Sequence, residues 1–317
     1  MSRLVLGCDG GNTKTVALVA TGAGEVVGWG RAGSSDVHDE AGEAAALHEL
    51  GAAVDGACAM AGCAPADIAA AVFGLAGADW PEDFALLEAE ARTWIGGDVL
   101  VLNDAVNAIR CGTDDGVGVV VSCGTGGTAA GRGRDGIVYH RGFWPEPSGA
   151  RQIGRLGLRA VQNAHLGLGP ATALTPAALA RYGAVDPDDL LHRITRRGRD
   201  RTADVRWFCP DVLDAAHAGD AVALGIVALE GRILGGQARV CAQHVGFDGA
   251  FPLVAVGGVF RHPSPLLREA VLAEVPGAEL VEAHWEPATA ALLTALGSVD
   301  EDAVRTSLPP ADVFATG

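Results

Sequence analysis

The stretch "DGGNTKT", Asp9–Thr15, lies between two short apolar segments and contains Lys14, the only lysine of the chain. The segments "RLVLGCD" and "TVALVAT" on either side have the composition of β-strands, so the stretch is predicted to be a hairpin turn. A Walker-type phosphate loop leads into a helix, and no helix follows here. A glycine-rich hairpin can still direct backbone N–H groups to phosphate oxygens, because Gly10 and Gly11 can adopt positive φ angles. An ordinary Gly-Gly-Asn turn explains the same residues equally well.

The order of predicted elements around this hairpin indicates an α/β protein. Three strands up to residue 32 precede a helix over about 39–62, a buried strand "IAAAVFGLAG", a helix opened by Pro81 and another buried strand, "DVLVLND". A similar order begins again at "GVGVVVSCGTGG", with a helical region over about 150–246 before the last strands and a final helix. Two halves of similar order predict two similar domains with a cleft between them.

The repeated order also predicts the domain boundaries. A small N-terminal domain is expected over 1–113 and a larger C-terminal domain over 114–299. The final helix, 286–297, can pack back on the N-terminal domain. The remaining residues, 300–317, are polar and contain Pro309 and Pro310, so we expect a frayed tail.

Composition restricts the classes of partner. The 317 residues carry a formal net charge of −16, which argues against nucleic acid and anionic membranes because both attract basic surfaces. No apolar run has the length expected of a membrane-spanning helix, and no signal peptide is recognisable at the start. The seven cysteines include no C-x-x-C pair and fit buried thiols in a reducing compartment. We therefore expect a cytoplasmic protein that binds small molecules and can form a homodimer.

Two further glycine loops strengthen the case for a nucleotide site. The stretch "SCGTGGT", Ser122–Thr128, occupies the equivalent hairpin of the second half, and a pair of such hairpins is less expected by chance than one. The stretch "AVGGVF", 255–260, ends a buried strand and suits the adenosine end of a nucleotide. Phosphate binding is therefore favoured over ordinary turns.

Asp104 is the candidate for acid–base chemistry. It follows a buried strand in "VLNDAVNAI", and α/β proteins place ligands at the carboxyl ends of such strands. A carboxylate there can accept the proton of a hydroxyl that attacks a phosphate. Asn103 or Asp104 can also simply cap the next helix. Asp9 is suited to hold Mg²⁺, directly or through water. Asp79 follows another buried strand, where contact with a substrate hydroxyl and stabilisation of a turn are about equally expected.

These four motifs together, "DGGNTKT", "LNDA", "SCGTGGT" and "AVGGVF", resemble the sugar kinase/Hsp70/actin superfamily. Within it the chain resembles the N-acetylglucosamine kinase-like proteins of the BadF/BadG/BcrA/BcrD ATPase family, over residues 3 to about 297. The resemblance implies two ribonuclease-H-like domains, of the actin and hexokinase type, that close over Mg·ATP and a hydroxylated substrate. It also implies that Asp104 is the catalytic base, that the two hairpins are phosphate loops and that Gly257 and Gly258 lie at the adenosine.

The remaining candidate residues are assigned to the cofactor or to the substrate. The predicted cofactor-binding residues are Gly10, Gly11, Asn12, Thr13, Lys14, Gly124, Thr125, Gly126, Gly127, Gly257 and Gly258. The predicted substrate-binding residues are Asp36, Gly77, Asp79, Asn103, Trp144 and Glu146. The substrate side departs from the family: Asp36 stands where asparagine is usual, and an acidic motif is altered to "EPSGARQIG".

The leading functional hypothesis is an ATP-dependent kinase, a magnesium-using transferase of carbohydrate metabolism that phosphorylates a hydroxyl of N-acetylglucosamine or glucosamine. The alternatives are a kinase for another polyol, such as a cyclitol or an antibiotic-pathway sugar, and a nucleotide-binding regulator or ATPase with a degenerate substrate site. An ATPase that activates a radical dehydratase also belongs to the family, but it needs cysteines that hold an iron–sulfur cluster, and the seven here lack that context.

Overall fold

The computed structural model describes residues 3–141, 147–197, 205–297 and 299–315. The chain divides into two compact units, one formed by residues 1–117 with 282–317 and the other by residues 118–281. Each unit contains one five-stranded sheet, and the two sheets have the same strand order.

The sheet of the first unit has the order β3-β2-β1-β4-β5. β1 and β2 are antiparallel with Gly10 opposite Thr15, so the predicted hairpin at Asp9–Thr15 is confirmed. β4 and β5 extend the sheet in parallel to β1, which brings the carboxyl ends of three strands to one edge. The strands are β1 (Leu4–Gly10), β2 (Thr15–Thr21), β3 (Val26–Ala32), β4 (Ile68–Leu75) and β5 (Asp98–Asn103).

Helices cover both faces of this sheet, and glycines allow two of them to lie very close to it. A Cβ at Gly30 would lie 2.0 Å from the carbonyl oxygen of Ala53, on the first helix. A Cβ at Gly7 would lie 2.1 Å from the backbone nitrogen of Leu292, on the opposite face. The helices are α1 (Glu43–Ala61), α2 (Pro81–Trp94), α3 (Asp104–Ala108), α10 (Pro287–Leu296) and α11 (Glu301–Ser307).

The sheet of the second unit has the order β8-β7-β6-β9-β10, with β6 antiparallel to β7 and parallel to β9. The predicted second hairpin therefore exists, between Cys123 and Gly127. The strands are β6 (Gly118–Cys123), β7 (Gly127–Arg132), β8 (Val138–Arg141), β9 (Phe251–Val256) and β10 (Ala278–Val281). The helices are α4 (Ala150–His165), α5 (Leu174–Tyr182), α6 (Pro187–Thr195), α7 (Cys209–His217), α8 (Ala221–His244) and α9 (Leu266–Leu272).

One helix of the second unit departs from a sequence expectation. Helix α8 is long and apolar enough by composition to cross a membrane, whereas the sequence analysis expected no apolar run of that length. Its buried residues belong to the core of the second unit, together with the inner faces of β6 and β7. A core helix of a soluble protein has the same composition.

Several predicted boundaries are corrected by the structure. The first helix begins at Glu43 and not at Asp39, because Gly42 adopts a φ of 82° and its N–H bonds to the carbonyl of Asp39 in a turn. The expected helical region over 150–246 is several helices. The expectation of a frayed tail is wrong for the described residues, since α11 forms there and Val304 and Val313 are buried. The predicted domain ends at 113 and 299 remain predictions; the compact units divide the chain between residues 117 and 118 and between residues 281 and 282.

Candidate active site

The first hairpin is held by the loops that follow the neighbouring strands. The N–H of Gly11 bonds to the carbonyl of Lys14 at 2.9 Å, which closes the turn. The carbonyl of Gly10 accepts from the N–H of Ala76, just after β4, and the carbonyl of Gly11 accepts from the N–H of Ser35, just after β3. The turn is therefore fixed to the edge where the parallel strands end.

Glycine is required at position 10 of this hairpin for a different reason from the one predicted, and it is not required at position 11. Neither Gly10 nor Gly11 adopts a positive φ. A Cβ at Gly10 would lie 2.2 Å from Oγ of Ser35 and 2.7 Å from Leu75, so a side chain is excluded by close packing and not by backbone conformation. At Gly11 the nearest atom would be 3.7 Å away, and the position remains open.

Asp104 lies at the junction of β5 and α3. The preceding residue, Asn103, caps the helix by accepting the N–H of Ala105 on its Oδ1 at 3.1 Å, so the capping interpretation is correct for Asn103. The amide of Asn103 donates to the carbonyl of Ala78 and to Oδ1 of Asp79, both at 3.2 Å. Asp104 itself accepts the N–H of Ala105 at 2.7 Å. The carboxylate is thereby oriented at the end of the strand, next to the loop after β4.

Asp36 connects the first hairpin to the loop after β3. It is 6% exposed, and its Oδ2 accepts from the amide of Asn12 in the hairpin. Its Oδ1 accepts the N–H of His38 at 2.9 Å. A Cβ at Gly77 would lie 2.8 Å from the backbone nitrogen of Val37, so glycine permits the loop after β4 to pack against the same segment. Four predicted residues, Asn12, Asp36, Gly77 and Asp79, are thus brought together.

A histidine–aspartate pair in this region was missed by the sequence analysis. Nε2 of His38 lies 3.1 Å from Oδ2 of Asp83, which also accepts the N–H groups of Asp79 and Trp80 at the start of α2. Although burial opposes protonation, the hydrogen bond and the charge of Asp83 raise the pKa of His38. The segment "DWPED" does indicate an N-terminal cap for α2, but only the tertiary structure places His38 beside it.

Three carboxyl groups at this edge have raised pKa values. Burial, followed by the charge of Asp104, raises the pKa of Asp9 to about 7, while Lys14 lowers it. Burial and Asp104 also raise the pKa of Asp79 to about 7. Burial, with a contribution from the charge of Asp36, raises the pKa of Asp104 itself to about 6. Because these carboxylates repel one another, the region favours a bound cation or a shared proton.

Lys14 is tied to the end of the chain. Its Nζ donates to the carbonyl of Phe314, and the guanidinium of Arg31 donates to the carbonyls of Asp312 and Ala315, each at 2.8 Å. Lys14 therefore braces the hairpin against the segment after α11 and reduces the repulsion at Asp9.

The second hairpin rests on the start of a helix in its own unit. The N–H of Ala150 bonds to the carbonyl of Gly124 at 2.9 Å, and the N–H of Arg151 bonds to that of Thr125 at 3.2 Å. A Cβ at Gly127 would lie 2.6 Å from Oγ of Ser148. Gly126 is exposed, and no atom of the described residues would lie within 4 Å of a Cβ there. The loop is fixed on one side and open on the other.

The third glycine loop lies beside the second hairpin. Gly257 has a φ of 99°, and a Cβ there would lie 2.5 Å from the carbonyl oxygen of Cys123, at the end of β6. Glycine is required at this position on both grounds. Within the part of the chain that the structure describes, a Cβ at Gly258 would have no neighbour within 4 Å.

The structure does not locate every predicted substrate-binding residue. Trp144 and Glu146 lie outside the described residues.

The described residues contain no group of three or more His, Cys, Asp or Glu side chains arranged for a metal ion. Magnesium commonly takes only one or two carboxylates, with water and phosphate oxygens as its other ligands. The mutually repelling carboxylates of Asp9 and Asp104 fit that requirement.

The amino-acid sequence is similar to a known family of ATPases and to two sugar kinases. A model of the BadF/BadG/BcrA/BcrD ATPase family matches residues 6–295. An N-acetyl-D-glucosamine kinase of Dictyostelium discoideum is 28% identical over 237 residues, which are 71% of this chain and 74% of the relative. An N-acetylmuramic acid/N-acetylglucosamine kinase of Clostridium acetobutylicum is 28% identical over 204 residues, 62% of this chain and 65% of the relative.

The fold is matched by a solved structure, that of a protein assigned as an N-acetylglucosamine kinase from Chromobacterium violaceum. The TM-score is 0.68 at 22% identity, and the match covers 92% of this chain and 98% of the other. Together with the two five-stranded sheets, this confirms the predicted α/β fold of the actin-like sugar kinase type.

Proposed function

Because the chain belongs to the BadF/BadG/BcrA/BcrD ATPase family, we propose that it is an ATP-dependent kinase that phosphorylates a hydroxyl of an amino sugar. The observation that carries the proposal is the position of Asp104, an oriented carboxylate with a pKa of about 6 at the end of a parallel strand. Two curated relatives named as N-acetylglucosamine kinases support the choice of acceptor.

In this proposal Asp104 accepts the proton of the attacking hydroxyl. A base is most effective when its pKa lies near the pH of the reaction, and a raised carboxyl pKa meets that condition near neutrality. The backbone N–H groups of the two hairpins would bind phosphate oxygens, and Gly257 and Gly258 would contact the adenosine. Lys14 would contribute positive charge from its braced position in the first hairpin.

Mg²⁺ is part of the proposal, with Asp9 as its ligand from the protein, directly or through water. The ion would supply charge neutralisation for the phosphates. Asp9 has a pKa of about 7, so its carboxyl group is only partly ionised near neutral pH, and a bound cation would favour the ionised form. The roles proposed above for Asp104, the two hairpins and Lys14 do not depend on Asp9 being the metal ligand.

The acidic surroundings of the base favour glucosamine as a second acceptor beside N-acetylglucosamine. Asp79, which has a raised pKa, is bonded to Asn103 beside Asp104, and Asp36 lies in the adjoining loop. Sugar hydroxyls would donate to such carboxylates, and a free ammonium would reduce their repulsion. Trp144 and Glu146 are proposed to complete the acceptor site.

The proposal is tested by a phosphorylation screen with product masses as the readout. Purified protein is incubated with Mg·ATP and N-acetylglucosamine, glucosamine, glucose or myo-inositol. We expect a phosphate added to one or both amino sugars. Phosphorylation of the cyclitol alone would identify a kinase for another polyol, whereas ATP binding without any phosphorylated product would favour the regulator or ATPase with a degenerate substrate site.

The same preparation tests the dehydratase-activator alternative. Six of the seven cysteines are buried, and Cys63 is half-buried. Absorbance of the anaerobically purified protein in the visible range would indicate an iron–sulfur cluster and would contradict the kinase proposal.

A further inference from the structure

Glu230 is a carboxyl group in the core of the second unit, in the middle of α8. The residue is 1% exposed. Its Oε1 accepts the N–H of Gly149 at 2.6 Å and the thiol of Cys123 at 3.8 Å. Its Oε2 is buried and has no hydrogen-bond partner within the part of the chain that the structure describes. An acidic side chain in such a position is costly and calls for an explanation.

Both partners of Glu230 adjoin the second hairpin. Cys123 is the last residue of β6, immediately before the loop, and Gly149 is the N-cap of α4. A Cβ at Gly149 would lie 2.4 Å from the carbonyl carbon of Gly126, so the helix start and the loop are in direct contact. The next two N–H groups of α4 bond to the carbonyls of Gly124 and Thr125.

The first turn of α4 is thus completely used by these contacts. Its free N–H groups would otherwise attract an anion. Here three of them bind two carbonyls of the hairpin and the Glu230 carboxyl group, and the N–H of Gln152 bonds to the carbonyl of Gly149 at 3.0 Å. The position of the loop therefore depends on where α4 begins, and Glu230 fixes that point from the opposite side.

We propose that Glu230 is a positioning residue that holds the hairpin Ser122–Thr128 against the start of α4 and thereby sets the affinity for ATP. This inference rests on the proposed function, in which that hairpin binds phosphate.

The ionisation of Glu230 gives this role a distinctive pH dependence. Burial raises the pKa of Glu230 to about 7, although the bond from Gly149 lowers it. The neighbouring thiols of Cys123 and Cys209 have pKa values raised by burial and stay neutral in the same range. The side chain of Glu274, in the turn after α9, meets α8 at Gly235, more than one helical turn beyond Glu230. Glu230 is therefore the group expected to gain a negative charge between pH 6 and 8.

The test measures the Kd of a non-hydrolysable ATP analogue with Mg²⁺ by calorimetry at pH 6 and pH 8. The variants are Glu230→Gln, which keeps an acceptor for Gly149 but cannot ionise, and Glu230→Ala, which removes it. Leu190→Ala is the control, because Leu190 is a buried residue of α6 and its truncation also loosens the second unit.

We expect Glu230→Ala to raise the Kd about tenfold at both pH values. An ionised Glu230 places a negative charge beside the hairpin that binds phosphate, and this repulsion should outweigh its stronger bond to Gly149. The wild-type Kd should therefore rise from pH 6 to pH 8 by several-fold more than that of Glu230→Gln; this comparison cancels the titration of the nucleotide itself. Leu190→Ala should bind as the wild type does. Equal Kd values for wild type and Glu230→Ala, or equal pH dependence for wild type and Glu230→Gln, would overturn the proposal.

A failure of the proposed function gives a different result. Wild-type protein that neither binds the analogue nor phosphorylates a sugar would overturn both proposals. Wild-type protein that does both, with unaffected Glu230 variants, would overturn only the role of Glu230.

Discussion

Asp104 provides the most direct residue-scale prediction. Asp104→Asn keeps an oxygen that can accept the N–H of Ala105 but removes the proton acceptor. We expect kcat to fall by roughly 10²- to 10⁴-fold, the range typical of general-base catalysis, with the Kd for ATP nearly unchanged. Steady-state kinetics and calorimetry measure the two quantities. A variant that retained a tenth or more of the wild-type kcat would exclude Asp104 as the base.

The pH profile tests the same residue without removing it. The base acts when deprotonated, so kcat/KM should rise with pH and level off above the pKa of about 6. Asp36→Asn removes a negative charge that raises this pKa, so the acid limb should move to lower pH even if the absolute rate falls. An acid limb that stays in place would show that Asp36 does not act on Asp104.

Sequence reasoning located the residues whose roles depend on local order. Asp104, Asn103 and the hairpin glycines follow strands that the apolar pattern predicts, and the structure has those strands. His38 and Glu230 were missed because nothing in their local sequence identifies their partners, which are 45 and 81 residues away. The reason for glycine at position 10 was also missed, because the side chain that leaves no room for a Cβ there belongs to Ser35, in another loop.

At the scale of elements, the close approach of α10 to β1 requires a glycine. A Cβ at Gly7 would lie 2.1 Å from the backbone nitrogen of Leu292. We expect Gly7→Ala to lower the free energy of unfolding by about 3 kcal/mol, because the clash is with backbone that cannot rotate away. Urea denaturation followed by circular dichroism measures the change.

Gly51→Ala, in the same unit, is the matched control. Gly51 lies inside helix α1, and a Cβ there would make an ordinary contact with the side chain of Trp94 at 3.6 Å. Alanine has the higher helix propensity, so this variant should gain up to about 1 kcal/mol. If Gly7→Ala unfolded at the same urea concentration as Gly51→Ala, α10 would not pack on β1 as described.

Element boundaries show where local patterns are insufficient. The start of α1 depends on the turn at Gly42, and that of α4 on Gly149, whose φ of 91° and contact with Gly126 both favour glycine. The sequence alone predicted one helical region over 150–246, because its turns are short and its composition is uniformly helix-forming. The segment after α11 appeared unstructured, yet Lys14 and Arg31, about 300 and 281 residues away in sequence, bind its carbonyls.

At the scale of the whole molecule, buried acids determine how stability should depend on pH. The pKa values of Asp9 and Asp79 are about 7 and that of Asp104 is about 6, against an ordinary value of 3.8; Glu230 has a pKa of about 7, against 4.5. Between about pH 4 and 7 the folded protein therefore binds more protons than the unfolded chain. By linkage, the free energy of unfolding must fall as pH rises through this range and level off above it.

A double variant with one change in each unit tests this expectation. Asp79→Asn with Glu230→Gln should be more stable than the wild type at pH 8, by about 1–3 kcal/mol. The difference should be much smaller at pH 4, where both acids are protonated in the folded state and partly protonated in the unfolded chain. Asp220→Asn should do the opposite, because backbone N–H groups lower the pKa of Asp220 against the effect of burial and its charge stabilises the fold at high pH. Urea titrations at pH 4, 6 and 8 provide the comparison. A bound cation would relieve the same repulsion, so Mg·ATP should reduce the stability difference between the wild type and a variant that lacks the Asp79 carboxylate. A free energy of unfolding that rises for the wild type from pH 4 to 8 without ligand would contradict the assignment of these acids.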